Sequence, residues 1–323
     1  LAPFHALRPA PAAAARVAAV PYDVVDLEEA RALADGNPLS FLHVSRAEID
    51  GPVDASPYSD AVYAKAVANF ERLKTDAPLV VEDAPALYVY RLRMGDVTQT
   101  GVAACFSIDE YDRDVIKKHE RTRPDKEDDR TRHLIALRAQ TGPVFLIHRT
   151  APVVDRVVAG VVASSPLYGF TAPGGVQHTL LRVGPRDQEP PVGAFADVPT
   201  LYIADGHHRA ASASRAREQL RGAGAARGEW DTMLAVAFPA SQVRILPYNR
   251  LVTDLADMTS AALLAAIRRR STIGDGPPAP VRRGDVSMFL NGTWHTIVLG
   301  EAAADAAGTE RLDLRRLQDL ILK

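Results

Sequence analysis

Apolar and polar positions along the chain alternate in two periods, and the switches between them predict an irregular succession of helices and strands. Asp26-Leu27-Glu28-Glu29-Ala30-Arg31-Ala32-Leu33 reads as an N-capped helix with acids in its first turn, closed near Gly36-Asn37-Pro38. Phe41 to Ser45 reads as a strand, and the spacing of Val62, Ala66, Phe70 and Leu73 predicts a helix from Tyr58 to Leu73. Runs 86–93 and 97–106 flank Met94-Gly95-Asp96 as a hairpin. The charged stretch 117–133 continues into Leu134-Ile135-Ala136-Leu137 as a helix that ends before Gly142-Pro143, where the strand Val144 to Ile147 begins. A helix over Val153 to Ala163, a hairpin turning at Pro173-Gly174-Gly175 and a polar, Pro-rich linker over Gly184 to Val192 follow. Leu201 to Ala204 is a strand, Asp205-Gly206 a turn, and His207 to about Arg221 a helix of small residues suited to close packing on a sheet. Strands at Thr232 to Phe238 and Val243 to Val252, a helix over Ser260 to Arg270 and a hairpin around Asn291-Gly292 complete the pattern.

Several hairpins among irregularly alternating helices indicate an α+β fold with a mixed sheet rather than a doubly wound parallel one. The organisation expected is an N-terminal α/β region over 1–105, a catalytic core over 106–255 and a C-terminal α+β region over 256–323. The start at Leu1 and the end in mid-pattern at Leu320-Ile321-Leu322-Lys323 lead us to expect that natural ends are missing.

Composition narrows the partners more than the fold. With 47% hydrophobic and 24% charged residues, the 323-residue chain has the make-up of a soluble globular protein. A net charge of −2 supplies no global basic field for nucleic acid or an anionic membrane. There is no apolar run near the roughly 18 residues that a span needs, and no signal-peptide pattern. The single cysteine, Cys105, excludes an internal disulfide and suits a reducing compartment, so a cytoplasmic location is expected.

Chemistry concentrates in two stretches. Asp205-Gly206-His207-His208-Arg209 places two histidines and an arginine at a helix start, where free N–H groups favour an anion. In Lys117-Lys118-His119-Glu120-Arg121-Thr122-Arg123-Pro124-Asp125-Lys126-Glu127-Asp128-Asp129-Arg130-Thr131-Arg132-His133, 12 of 17 residues are Asp, Glu, Lys or Arg. A charge run by itself is more often a solvated face than a site. Here the signs are mixed, histidines are included and Thr122-Arg123-Pro124-Asp125 bends the run. Phosphoryl transfer needs cations for phosphate oxygens, carboxylates for Mg²⁺ and a base near the acceptor hydroxyl, and the two stretches together hold all three. Adjacent histidines cannot share a helix face as a zinc-protease pair does, no Cys pair accompanies them, and GxxxxGK[ST], GxGxxG and the Gly-x-Ser-x-Gly elbow are absent. Cys105 reads as inert core, and His43, His148, His178 and His295, all on expected strands, as packed or surface histidines.

Val20-Pro21-Tyr22-Asp23-Val24, Asn37-Pro38 with Phe41-Leu42-His43-Val44, Lys117-Lys118-His119-Glu120-Arg121-Thr122, Gln140-Thr141-Gly142-Pro143-Val144 and Ala204-Asp205-Gly206-His207-His208-Arg209 stand in one order over most of the chain. That combination resembles the uncharacterised bacterial domain-of-unknown-function family one thousand and fifteen, whose members run longer at the C-terminus. The family looks related to the ParB/sulfiredoxin-like superfamily, which holds nucleotide phosphates on a Gly-x-x-Arg turn at a helix N-terminus and includes free-serine kinases with a His-Glu pair before an Asp-Gly-His-x-Arg turn. The resemblance implies a ParB/sulfiredoxin-like core around the strand–turn–helix unit and an ATP- or ADP- and Mg²⁺-dependent kinase phosphorylating free L-serine or a similar hydroxyl compound. By that likeness Glu120 is the base and Asp205 holds Mg²⁺ or orients the hydroxyl, with Glu120 as the other metal ligand. His119 and His208 join them in catalysis, and Gly206, His207, His208, Arg209, Arg121, Thr122, Arg123 and Lys126 bind the nucleotide. The insert of about 85 residues between the two motifs is longer than expected in the kinases. The rival is a ParB-like nucleotide-binding switch or partner-binding module without kinase activity. A redox or phosphatase relative of sulfiredoxin would want a cysteine beside the turn, and there is none. Expected partners are the small substrate and no nucleic acid or membrane, with a homodimer the assembly considered.

Overall fold

The hairpin expected around Gly95 forms and becomes the middle of a large mixed sheet. In this computed structural model every residue except 53–55, 78, 223, 225–226, 247–248, 256, 303–304 and 323 is described. Two units separate, Leu1–Arg244 and Ile245–Lys323. Strands of the first are β1 (Leu7–Pro9), β2 (Leu79–Val81), β3 (Tyr88–Met94), β4 (Val97–Ser107), β5 (Ile116–Lys117), β6 (Val144–His148), β7 (Tyr168–Thr171), β8 (Gln177–Arg182), β9 (Leu201–Asp205) and β10 (Thr232–Pro239). Its helices are α1 (Ala14–Val17), α2 (Leu27–Ala34), α3 (Leu42–Ser45), α4 (Asp60–Asp76), α5 (Ile108–Asp112), α6 (Pro124–Leu137), α7 (Pro152–Val162), α8 (Glu189–Ala196) and α9 (His207–Gly222).

Eight strands form one sheet in the order β5-β9-β6-β10-β4-β3-β8-β7, while β1 and β2 make a separate antiparallel pair. Within the large sheet β10 runs parallel to β6 and β5 parallel to β9, and the other pairs are antiparallel. The α+β class with a mixed sheet is therefore the fold. At its centre β4 is buried from Thr100 to Ala104. Gly101 sits so close to β10 that a Cβ there would stand 2.8 Å from the Ala237 carbonyl and from the Phe238 ring. One face of the sheet packs on α7, α8 and α9 through Val102, Ala104, Phe106, Leu146, Val154 and Ala210. A second core, from Val17, Val44, Ala66, Phe70, Leu73 and Leu137, holds α1, α3, α4 and α6 together.

Local signals explain much of this. Asp26 accepts from the Glu29 amide at 2.8 Å while Glu29 accepts from the Asp26 amide at 2.9 Å, a complete capping box that starts α2. On α9 the buried side chains are mostly small (Ala210, Ala211, Ser212, Ala213, Ser214, Ala216), which lets the helix lie close to its neighbours. Gln140 links the loop after α6 to β10, donating to the Thr232 carbonyl at 2.7 Å and accepting from the Leu234 amide at 2.6 Å.

Other expectations do not hold. Phe41 to Ser45 is not a strand: Leu42–Ser45 is a helical turn, so His43 is helical too. A short buried apolar run has no period of its own, and here side chains collect its carbonyls, Asn69 donating to His43 O at 2.6 Å and His133 to Val44 O at 2.9 Å. The charged helix begins at Pro124 rather than near 117, because Ile116 and Lys117 pair with β9. The Pro-rich linker runs into the first turn of α8, whose prolines lie there, where a missing N–H costs little. Of the expected strand Val243 to Val252, residues 247–248 lie outside the described ones and none of the others is in a strand; Ile245 and Leu251 are 95% and 87% exposed. The boundary expected after 105 falls inside β4, and the division lies at 244/245 rather than 255/256. Cys105 is half-buried on β4 with its thiol pKa raised by burial, as an inert thiol's is.

The second unit has α10 (Ser260–Arg268), α11 (Asp313–Leu317) and three antiparallel strands, β11 (Thr272–Asp275), β12 (Asp285–Leu290) and β13 (Thr293–Val298), in the order β11-β13-β12. Its hairpin turns at Asn291-Gly292 with φ of 49° and 82°, the paired positive angles that this dipeptide favours.

Two stability effects follow. Gly101→Ala should lower the unfolding free energy by about 1–3 kcal/mol in urea titrations, since the new methyl meets a backbone oxygen that cannot swing away. His133, buried and facing Arg130, has its pKa pushed down from 6.5 to about 4. Folding therefore favours the neutral ring, so its contribution is complete above pH 6.5 and is lost as pH falls towards 4, up to about 3 kcal/mol. The stability difference between wild type and His133→Gln, followed from pH 7 to 4, should shrink by that order; a difference independent of pH would refute the assignment.

Candidate functional site

The turn after β9 is shaped by one glycine and closed by one arginine. Opposite Asp205 the β6–β9 pairing is irregular, and Gly206 takes φ +92°, which favours glycine. Arg209, one turn into α9, folds back so tightly that a Cβ on Gly206 would lie 3.1 Å from its guanidinium carbon. Its guanidinium donates to the Asp205 carboxylate and to the Pro143 carbonyl. Gly142 lies under the same side chain, a Cβ there falling 3.4 Å from Arg209 Cδ. Thus the Gln140-Thr141-Gly142-Pro143 and Asp205-to-Arg209 motifs are parts of one structure.

His207 joins the charged segment to this turn. Its side chain is only 3% exposed, so both ring nitrogens need partners. Nε2 accepts from the His119 amide at 3.5 Å, which leaves the proton of the neutral ring on Nδ1, 3.4 Å from Glu120 Oε2. The His119 ring stands edge-on to it, with centroids 4.4 Å apart. Burial first, then His119, holds the His207 pKa below its usual 6.5, while Glu120 and Asp205 pull the other way. Both carboxylates therefore lie within electrostatic reach of one ring that is neutral at neutral pH.

His208 accepts from the Arg123 amide at 3.1 Å and so serves the start of α6, where Arg123 is an N-cap without a side-chain cap of its own. Thr122 donates to Glu127, and Arg215 of α9 pairs with Glu127 and Asp128. Ser212 donates to the Glu127 carbonyl at 3.2 Å. The helices α6 and α9 thus begin side by side at His208 and Arg123, and polar contacts from the next two turns of α9 hold the first turns of α6.

Most of the expected residues meet here: His119, Glu120, Thr122, Arg123, Asp205, Gly206, His207, His208 and Arg209. Three roles change. His207, expected among the nucleotide-binding residues, is buried, with His119 N and Glu120 beside its two nitrogens. Lys126 turns away to Tyr58, donating to its hydroxyl at 3.0 Å. Among the described residues no group of three or more His, Cys, Asp or Glu side chains could hold a metal, and the carboxylate of Asp205 is taken up by Arg209. Arg121 is exposed and has no partner among the described residues.

Tyr22 was not assigned a role by spacing, yet it belongs to this neighbourhood. The Arg130 guanidinium lies 4.2 Å above its ring, and burial pushes its pKa up to about 12 against the pull of Arg130 and Arg209. Its only signal in the sequence was membership of the Val20-to-Val24 motif.

These motifs, each given a place by the fold, are covered by one family model that matches residues 1–317, described as "Protein of unknown function (DUF1015)". The chain belongs to the DUF1015 family. No curated protein and no solved structure matches it. Among the described residues of this DUF1015 protein no helix is long and apolar enough to cross a membrane.

The His207 environment can be read by NMR titration of the histidine rings. His207 should titrate below 6.5, move up in His119→Ala and move further down in Glu120→Gln, since the first removes a neighbour that lowers its pKa and the second one that raises it. Shifts of the same sign in both variants would contradict the geometry.

Proposed function

We propose that this chain is a nucleotide- and Mg²⁺-dependent phosphotransferase acting on the hydroxyl of a small molecule, with free L-serine as the first candidate acceptor. One observation carries the reading: Glu120, 85 residues before Asp205 in sequence, stands 3.4 Å from Nδ1 of His207, two residues after Asp205 in the first turn of α9. First-turn amides of a helix have no intrahelical acceptor, and with exposed cations beside them they suit phosphate oxygens. Arg121 is an exposed cation here with no partner among the described residues, and Arg123, paired with Asp125, is exposed too.

In this reading Glu120 is the base. Its carboxylate is largely exposed, so a substrate can reach it, and it stands 3.4 Å from Nδ1 of the neutral His207. The hydroxyl oxygen of the acceptor attacks the terminal phosphorus, its proton passes to Glu120, and the shortened nucleotide leaves. Mg²⁺ usually keeps several waters and is held by one or two carboxylates plus substrate phosphates, so Asp205 with the phosphates is a sufficient donor set without a preformed cage. When bound, the ion would neutralise charge on the transferring phosphoryl group. Arg209 would have to release Asp205 to take a phosphate oxygen. That ion pair is the observation favouring the rival reading, a nucleotide-binding switch that does not transfer phosphate. A cytoplasmic setting, where nucleotides are plentiful, goes with either.

The test incubates the protein with Mg²⁺, ATP or ADP and L-serine, and follows O-phosphoserine by phosphorus NMR. Glu120→Gln should lose on the order of 10²–10⁴-fold in turnover with nucleotide affinity nearly intact, whereas Arg209→Ala should weaken nucleotide binding. Absence of product with every common nucleotide, from folded protein, removes the serine kinase. Nucleotide binding without turnover on any acceptor selects the rival. Small, equal effects of both substitutions would make these structural charges.

A further inference from the structure

At the opposite end of β9 from Asp205 lies a cavity of about 460 Å³, lined by the start of α7, the end of α8 and the start of β9. Two of its lining groups carry charge, Arg149 and Asp197, and neither side chain has a partner among the described residues. They line one cavity without pairing with each other. Each also stands at the wrong end of a helix. Arg149 precedes α7, an 11-residue helix whose N-cap, Ala151, makes no side-chain cap, so a cation sits where the helix is already positive. Asp197 is the C-cap of α8, so a carboxylate sits where the last carbonyls are already negative. Both residues are exposed, so water solvates their charges when the cavity is empty. A ligand with an anionic and a cationic group would complement both at once.

The walls suit a small molecule. Ala151, Val153 and Val198 give apolar surface, and Tyr202, a 38% exposed aromatic on β9, adds a ring. His148 fixes the rim: its ring donates to the Arg149 carbonyl at 2.6 Å and meets Phe195 of α8 edge-on at 5.2 Å.

We propose that this cavity binds a small zwitterion with an apolar side chain, an apolar α-amino acid in type. Its carboxylate lies against Arg149 and the Val153 amide of α7, since Pro152 has no N–H, and its ammonium against Asp197 and the last carbonyls of α8. This site is separate from the turn at Asp205 and does not depend on phosphoryl transfer.

The experiment is calorimetric titration of the full chain, without nucleotide, with three probes of similar shape: L-leucine, isocaproate (carboxylate only) and isoamylamine (ammonium only). L-Leucine should bind, and more tightly than either single-charge probe by roughly tenfold or more, the scale of one charge-assisted hydrogen bond. Arg149→Gln and Asp197→Asn, with circular dichroism and melting temperatures like wild type, should each weaken leucine binding by a similar factor. No leucine binding at millimolar concentration overturns the proposal, as does equal binding of all three probes. Leucine binding untouched by both substitutions would place it elsewhere and overturn the assignment too. Since the readout is binding, failure of the kinase assay leaves this result unaffected, and the reverse holds as well.

Discussion

Because His207 is buried in the first turn of α9, its two ring nitrogens must be satisfied by protein groups, and those groups come from one short stretch of chain. The His119 amide takes one nitrogen and Glu120 faces the other. Moving that stretch would leave a desolvated imidazole unpaired, at a cost of about 1–3 kcal/mol. This constraint reaches outward. With residues 119–120 held, the chain enters α6 beside α9, His208 can accept from Arg123, and Arg215 can reach Glu127 and Asp128. Small residues on α9 make the approach sterically open, and the buried imidazole decides which segment fills it.

A second closure works on the other side of the turn. Gly206 is favoured by its backbone angle, and a Cβ there would also press on the Arg209 guanidinium at 3.1 Å. The guanidinium then bridges Asp205 and Pro143, tying β9 to the residue before β6. The two closures pull in different directions chemically. The first leaves the Glu120 carboxylate largely exposed beside the imidazole, while the second pairs the Asp205 carboxylate with a guanidinium.

How much of this could be read in advance depended on whether the information was local. The capping box at Asp26 and Glu29, the Asn291-Gly292 turn and the strand–turn–helix at Leu201 to Arg221 are each fixed by neighbours in sequence, and each formed. Phe41 to Ser45 was misread because Asn69 and His133, far along the chain, settle its carbonyls. The first turn of α8 hid behind prolines that a helix tolerates only there. Tyr22 was visible as part of a motif but not as part of the site, since no spacing rule links it to Arg130 or Arg209. The pairing of Glu120 with the Asp205 turn came from resemblance, and the physical link through His207 was not legible from either motif.

The charged segment shows why counting charges misleads in both directions. Most of its ions are committed to partners: Lys117 to Asp114, Arg123 to Asp125, Arg130 to Asp129, Arg132 to Asp60, and Glu127 and Asp128 to Arg215. Lys118 lies over the Tyr111 ring at 4.0 Å. Exposed pairs of this kind contribute little to stability and cancel much of one another's field at a distance. For the exposed ones among them the solvated-face interpretation holds, whereas Asp129 and Arg130 are largely buried. What remains is the tip, where Glu120 faces only a neutral imidazole and Arg121 has no partner among the described residues. A dense run of charge thus reduces to one carboxylate and one guanidinium whose electrostatics are not spent locally. Those two adjoining residues, an exposed carboxylate and an exposed guanidinium, are the part of the segment whose charge its own neighbours do not account for.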